Sequence, residues 1–370
     1  MTRLRNFVIG PSLALLSLLL LLVGLEVFLR LTIENTQADP LYVGLTYSRS
    51  RDTEYFQRSF LDLYPHGKDW KRGVYDPYLG WDHNIDNGRT RGRDTYSFQP
   101  GENIFRVVAI GDSFVFGSFV NDGQTYPSYL ESMVDTSEVL NMGGVGYGID
   151  QAVLKYLKYG SQYQPDLVTL GTFPHDYVRT GLSFYGYSKP VFEYNRDTNT
   201  VELTNTNIPP PHQVFADLKR ELKTPILYSY TFLDNLLIRA YWKLMSSGAK
   251  ERYYQEMDII IEHILSMLVD STRLTNTKLL IVEVPHGNSF RDQETLAAAK
   301  EDDAHGHLVD LYEKLQIPYI DLLEEFEAGY SLDEVFNEFY IHVTDTTRGH
   351  FTPEGNFEVA RIIKNKLDDL

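Results

Sequence analysis

Cysteine is absent from this 370-residue chain, which removes thiol nucleophiles, disulfides and cysteine-ligated zinc from the chemistries open to it. Basic residues are scarce: 34 Lys plus Arg stand against 51 Asp plus Glu, a formal charge of −17. A surface so acidic repels phosphate backbones, so nucleic acid is not an expected partner. There is no internal repeat and no low-complexity tract. The glycine-rich stretch 143–148 lacks the glycine spacing and downstream acid of a dinucleotide fingerprint. What remains is 43% hydrophobic and 23% charged, a globular composition long enough to bury a substantial core.

Long uncharged runs are represented by Phe7 to Leu25, with Leu18-Leu19-Leu20-Leu21-Leu22 at its centre and Glu26 and Arg30 at its end. As a helix it spans roughly 28 Å, close to the hydrocarbon thickness of a bilayer. Arg3 and Arg5 precede it, which holds the N-terminus in the cytoplasm and sends the rest across. Thr36-Gln37-Ala38 offers small residues for signal cleavage but lies far beyond the apolar run. The expectation is therefore an uncleaved anchor over residues 1–30, with the remainder extracytoplasmic, periplasmic or at the cell surface.

Residues 31–104 are polar, tyrosine-rich and dotted with turn formers. Asp76-Pro77-Tyr78-Leu79-Gly80-Trp81 reads as turn and edge strand, and the region as an irregular lead-in packing on the main domain. From Phe105 the texture changes. Short apolar runs at 105–110, 138–140, 166–170, 278–284 and 317–322 read as buried strands. Helical patterns at 124–134, 149–159, 302–315 and 356–367 fall between and after them. Alternation of this kind implies parallel pairing and a sheet covered on both faces. The expected fold class is α/β: a three-layer α/β/α sandwich with a mostly parallel five-stranded sheet. An insertion at 181–255, with Lys189-Pro190 and Pro209-Pro210-Pro211, reads as a cap or partner surface. It leads into a helix near Glu256 whose Met257, Ile260, Ile261, Ile264, Leu265 and Leu268 repeat at core-facing spacing.

Gly111-Asp112-Ser113 directly follows the first strand, which puts a serine at the carboxyl edge of a parallel sheet, where open α/β folds bind ligands. Near the other end stands Gly349-His350-Phe351-Thr352-Pro353-Glu354. Thr352 suits an N-cap and Pro353 a first helical position, so His350 is expected in the loop before a helix. The helix N-terminus favours the neutral imidazole, as a general base requires. Two further strand ends, Asn141 to Gly148 and Gly171 to Asp176, could supply oxyanion donors. His305-Gly306-His307 with Asp302 and Asp303 has metal-ligand residue types, but it reads as a helix N-terminus with exposed histidines. Neither metal nor cofactor is expected.

In this order and spacing the residues from 105 to 370 resemble the SGNH (GDSL-type) hydrolases. That family carries Gly-Asp-Ser after strand one, a glycine after strand two, Gly-x-Asn-Asp after strand three and Asp-x-x-His near the end. The Lys189-Pro190-Val191-Phe192 segment and the proline run are similar to membrane-anchored bacterial members. The resemblance implies a flavodoxin-like sheet, Ser113 as nucleophile, His350 as base, and oxyanion donors at the Ser113 and Gly146 amides. Gly111, Asp112 and Asp176 complete the matching motifs. His175 occupies the third donor's place, where the family has asparagine. Thr347 stands where the family has its acid, which leaves Asp345, two residues earlier, to orient the imidazole if 346–349 bulges outward.

The expected function is then a serine esterase cleaving O-acyl, chiefly O-acetyl, esters on cell-surface or secreted glycans. Two alternatives stay open: an O-acyltransferase acting on extracytoplasmic polysaccharide, and a non-catalytic glycan-binding or assembly protein of the same fold. The expected partners are an ester substrate and, through the N-terminal helix, a membrane.

Overall fold

Runs of β-branched and aliphatic residues flanked by Gly, Asp and Asn build the centre of the protein. The computed structural model describes residues 2–33, 49–64, 73–83, 85–92, 95–222, 227–245 and 247–367. Five strands form one sheet: β1 (Phe105–Ile110), β2 (Ser137–Asn141), β3 (Leu167–Thr172), β4 (Lys278–Glu283) and β5 (Tyr319–Asp321). Their spatial order is β2-β1-β3-β4-β5, and every pairing is parallel. This is the flavodoxin-like order. The chain winds outward to β2, then returns to place β3 on the other side of β1. That reversal leaves a crevice beyond the carboxyl ends of β1 and β3.

Alternation along each strand fills both faces. Val107, Ala109, Val139, Leu167, Leu280 and Val282 pack with Leu130, Leu296, Phe326, Val359 and Ile363 from the helices Tyr126–Met133, Gln293–Lys300, Leu322–Gly329 and Pro353–Leu367. On the opposite face, Tyr312 of the helix Asp303–Lys314 donates its hydroxyl to Thr172 Oγ1 at 2.9 Å and Glu283 Oε2 at 2.8 Å. A Cβ on Gly160, just after the helix Ile149–Lys158, would meet Val108 at 3.4 Å. The apolar stripe Met257, Ile260, Ile261, Ile264, Leu265 and Leu268 is wholly buried, each such side chain contributing about 1.5–3 kcal/mol of transfer free energy. Its helix begins at Ser247, earlier than the pattern suggested, and runs to Leu274.

The chain divides into two compact units, one comprising residues 1–69 and 211–253, the other 70–210 and 254–370. In the first, the N-terminal helix runs Thr2–Ile33, beyond both ends of the expected span. Its stretch Ser12–Leu31 has a mean hydropathy of 2.5 and is long and apolar enough to cross a membrane. Near its end the Glu26 carboxylate accepts from the Tyr228 amide at 3.2 Å, the Ser229 amide at 2.8 Å and the Ser229 hydroxyl at 2.7 Å. It thereby caps the helix Tyr228–Met245, whose first amides have no partner within their own helix.

In the second unit, part of the lead-in is a small hairpin, Val74–Asp76 with Gly80–Asp82. Asp76 Oδ1 accepts from the amides of Tyr78 and Leu79, both at 2.8 Å, the local bonding that lets aspartate open a turn. Trp81 is fully buried. The insertion contains a second hairpin, Val191–Asn195 with Thr200–Thr204, while Lys189 lies buried against Asp150. The stretch 34–48, within the expected lead-in, lies outside the described residues.

Candidate active site

Gly111 ends β1 with φ near +149°, and a Cβ there would lie 2.4 Å from Val115 Cγ2 and 2.5 Å from the Gly171 carbonyl oxygen. Only glycine lets the β1 and β3 ends approach so closely. Asp112 then caps the short helix Ser113–Phe116, accepting from the Phe114 amide at 2.8 Å. Ser113 therefore stands at a helix start on the sheet's carboxyl edge, and it is nearly buried.

His350 arrives from the far end of the sequence. It lies on the strand Thr347–Phe351, paired antiparallel with Tyr340–Thr344, rather than in the loop that was expected. The reason is local: Thr352 leaves the hairpin by donating its amide to the Phe339 carbonyl at 2.9 Å. Its hydroxyl then accepts from Gly355 at 3.1 Å to start the final helix. The imidazole Nε2 lies 2.8 Å from Ser113 Oγ. Its ring packs on Phe114, centroids 4.8 Å apart, and on Phe119 at 5.3 Å. Burial lowers its pKa below the ordinary histidine value; the Asp112 carboxylate opposes this and the Arg179 guanidinium adds to it. A neutral ring accepting at Nε2 carries its proton on Nδ1.

Asp345 is not brought to His350. It is exposed and, with Thr346, forms the turn joining Thr344 to Thr347. Its electrostatic influence falls on Arg348. The hairpin register slips at two places, yet Asp345 stays in its exposed turn and does not return to the ring. Among the described residues no carboxylate bonds His350 Nδ1. The nearest charged cluster instead flanks the serine. Asp112 Oδ2 sits 3.3 Å from Ser113 Oγ and 3.0 Å from Arg179 Nη1, and the same guanidinium nitrogen is 2.7 Å from Asp176 Oδ1. Burial, with Asp112 nearby, holds the Asp176 carboxyl well above its usual range despite Arg179.

The loop after β2 is set against the serine's helix: a Cβ on Gly143 would lie 2.2 Å from the Phe116 nitrogen. The lead-in hairpin holds this loop from the other side. Trp81 Nε1 donates to the Val145 carbonyl at 2.9 Å, the Val145 amide donates to His83 Nε2 at 3.2 Å, and the Tyr147 hydroxyl donates to the Trp81 carbonyl at 2.6 Å. Gly146, between these anchors, has φ near +76°. Neither its amide nor that of Ser113 donates to another described residue.

His175 lies in the first turn of the helix Pro174–Thr180. Its ring centroid is 5.3 Å from Phe173 and 4.8 Å from His286. Burial and then Arg179 lower its pKa, and burial, His175 and Arg179 bring His286 down to about 4. Both shifts favour the neutral ring. Arg179 and His286 escaped the sequence reading. Arg179 follows Asp176 by one helical turn, a spacing at which an ion pair is readable; nothing local distinguishes His286. His305 differs from its expected exposure: Nε2 is 3.3 Å from Asp321 Oδ2 and Nδ1 is 3.6 Å from Glu283 Oε1. His307 Nδ1 lies 2.8 Å from Asp258 Oδ2.

No family model matches the chain, and no curated protein matches it. Solved structures do. A member of the lipolytic protein G-D-S-L family from Veillonella parvula DSM 2008 is similar at TM-score 0.38 and 12% identity, over 72% of this chain and 100% of that one. A catalytic mutant of Axe2, an acetylxylan esterase from Geobacillus stearothermophilus, is similar at TM-score 0.39 and 13% identity, over 70% and 93%. A two-domain esterase active on acetylated mannans is similar at TM-score 0.38 and 13% identity, over 72% of this chain and 49% of that one. The structural neighbours of this five-stranded α/β protein thus include GDSL lipolytic proteins and acetylxylan esterases.

Proposed function

We propose that the protein is a serine ester hydrolase of the SGNH type, held to a membrane by its N-terminal helix. The observation that carries the reading is the 2.8 Å contact between Ser113 Oγ and His350 Nε2. A hydroxyl and a neutral imidazole at this distance form an activated nucleophile. His350 takes the Ser113 proton as Oγ attacks the ester carbonyl. The oxyanion that forms faces the Ser113 and Gly146 amides, with His175 as a neutral ring donor. Collapse of the tetrahedral adduct expels the alcohol, which takes the proton back from His350. Water repeats the cycle and frees the acid. Without a carboxylate at Nδ1 the imidazole is oriented by packing between Phe114 and Phe119, so turnover is slower than in an intact triad.

With an apolar N-terminal helix of membrane-crossing length, the substrates are esters outside the cytoplasm, and O-acetyl groups on glycans fit that location. An alkyl fluorophosphonate should label full-length protein in detergent, and Ser113→Ala should abolish the label. Labelling that persists in Ser113→Ala removes Ser113 as nucleophile. A wild-type chain that takes no label and releases no acetate from vinyl acetate removes the enzyme reading.

A further inference from the structure

Phe119 is the most exposed large apolar side chain beside the candidate site, with 81% of its surface open. Its backbone sits at φ near +72°, a left-handed conformation that is a real outlier for a bulky residue. Conformations of this kind are strained and persist where surrounding structure over-determines them. Here the surroundings do so. The Arg91 guanidinium donates to the carbonyls of Phe116 and Gly117 before Phe119 and, at 2.5 Å, to that of Val120 after it. Arg91 is itself fixed, its amide donating to the Asn141 carbonyl at 2.8 Å and its Nε to Asp122 at 3.0 Å. A clamp from the lead-in therefore holds a strained phenylalanine in water, with its ring 5.3 Å from the imidazole of His350.

Hydrophobic burial does not explain that placement, because the ring is not buried. We infer that Phe119 is a stacking platform for a pyranose ring of the substrate, placing the sugar that bears the ester beside Ser113 and His350. An aromatic face accepts the flat C–H face of a sugar and needs no closed pocket. A long acyl chain would need an apolar groove instead. The next residue, Val120, lines a cleft of about 660 Å³ whose other walls include Arg91, Tyr96, Asn121, Asp122 and Glu131. Walls of that polarity suit the hydroxyls of a continuing glycan. The inference rests on the ester-hydrolase reading and deepens it by naming the alcohol side of the ester.

The test uses full-length protein in detergent and two probes: an O-acetylated xylo-oligosaccharide and vinyl acetate, which has no ring to stack. For Phe119→Ala, the ratio of kcat/KM on the oligosaccharide to kcat/KM on vinyl acetate should fall about tenfold, chiefly through KM. Phe119→Trp should restore the ratio, and Phe119→Leu, apolar but not flat, should not. An unaltered ratio in Phe119→Ala, or full rescue by leucine, overturns the platform. Phe119→Gly should raise the thermal midpoint by relieving the left-handed strain; a lower midpoint overturns the strain assignment. Binding is read in parallel with Ser113→Ala, whose migration through acetylated-xylan gels should be retarded, the retardation being lost when Phe119→Ala is added. Vinyl acetate hydrolysis that fails in the wild type marks failure of the hydrolase reading, and retardation indifferent to Phe119 marks failure of this one.

Discussion

Asp82 of the lead-in hairpin meets the Lys155 ammonium at 2.6 Å, with both side chains wholly shielded from solvent. The same carboxylate takes Arg89 Nη1 at 2.7 Å, and Arg89 reaches Asp76 at 2.8 Å. The hairpin that steadies the Gly146 loop is thus pinned to the helix Ile149–Lys158 by charge as well as packing. Removing one partner of such a pair strands the other in the interior. Asp82→Ala should destabilise the protein by about 3–5 kcal/mol in urea unfolding. The double variant Asp82→Leu/Lys155→Met should recover most of that loss. Equal destabilisation by the single and double variants would mean the pair is not what holds the hairpin.

Ser113→Ala and His350→Ala should each lower kcat on vinyl acetate by about three to six orders of magnitude, and the double variant should be little worse than either alone. Additive losses would show that the two side chains act separately.

The depressed pKa of His350 keeps the base form populated below the ordinary histidine range. The acid limb of the kcat/KM profile should therefore lie below pH 6.5. A limb at pH 7 or higher would contradict the burial that causes the shift.

His305 is held protonated by Asp321 and Glu283, its pKa raised to about 10 from an unfolded value of about 6.5. A histidine raised by folding contributes fully below the unfolded value and loses that contribution as pH climbs through the folded one. The wild type should thus lose more of its urea midpoint between pH 6 and pH 10 than His305→Gln does. Parallel loss in both would assign the alkaline instability to other groups.

Asp345→Ala should change kcat/KM less than threefold, since the side chain is exposed on a hairpin turn. A loss of a hundredfold or more would require Asp345 to reach His350 during turnover.

The sheet was legible because its strands obey short-range rules. Val107 to Ile110 and Leu279 to Val282 are apolar runs bounded by polar or turn residues, and a parallel sheet buried on both faces demands such runs. Gly111-Asp112-Ser113 was legible for the same reason, as turn chemistry attached to a strand end. What the sequence hid is set by tertiary approach. Whether Asp345 can reach an imidazole five positions on depends on hairpin register, which bulges at two places between Tyr340 and Thr344. His350 looked like a loop residue because the capping signal of Thr352-Pro353 marks where a helix starts, not what precedes it. Arg91 and His286 lie far along the chain from Phe116 and His175, the residues they touch, and no periodicity announces such contacts. The hairpin at 191–204 was masked by the prolines and polar residues around it.

The proposed nucleophile and base come from positions 237 residues apart. A nascent or partly translocated polypeptide therefore presents the hydroxyl well before the imidazole that would activate it. On the reading proposed here, ester cleavage begins only once the last hairpin has crossed and docked. Chains arrested in transit would then be chemically silent, and no separate inhibitor would be needed on the side of the membrane where they are made.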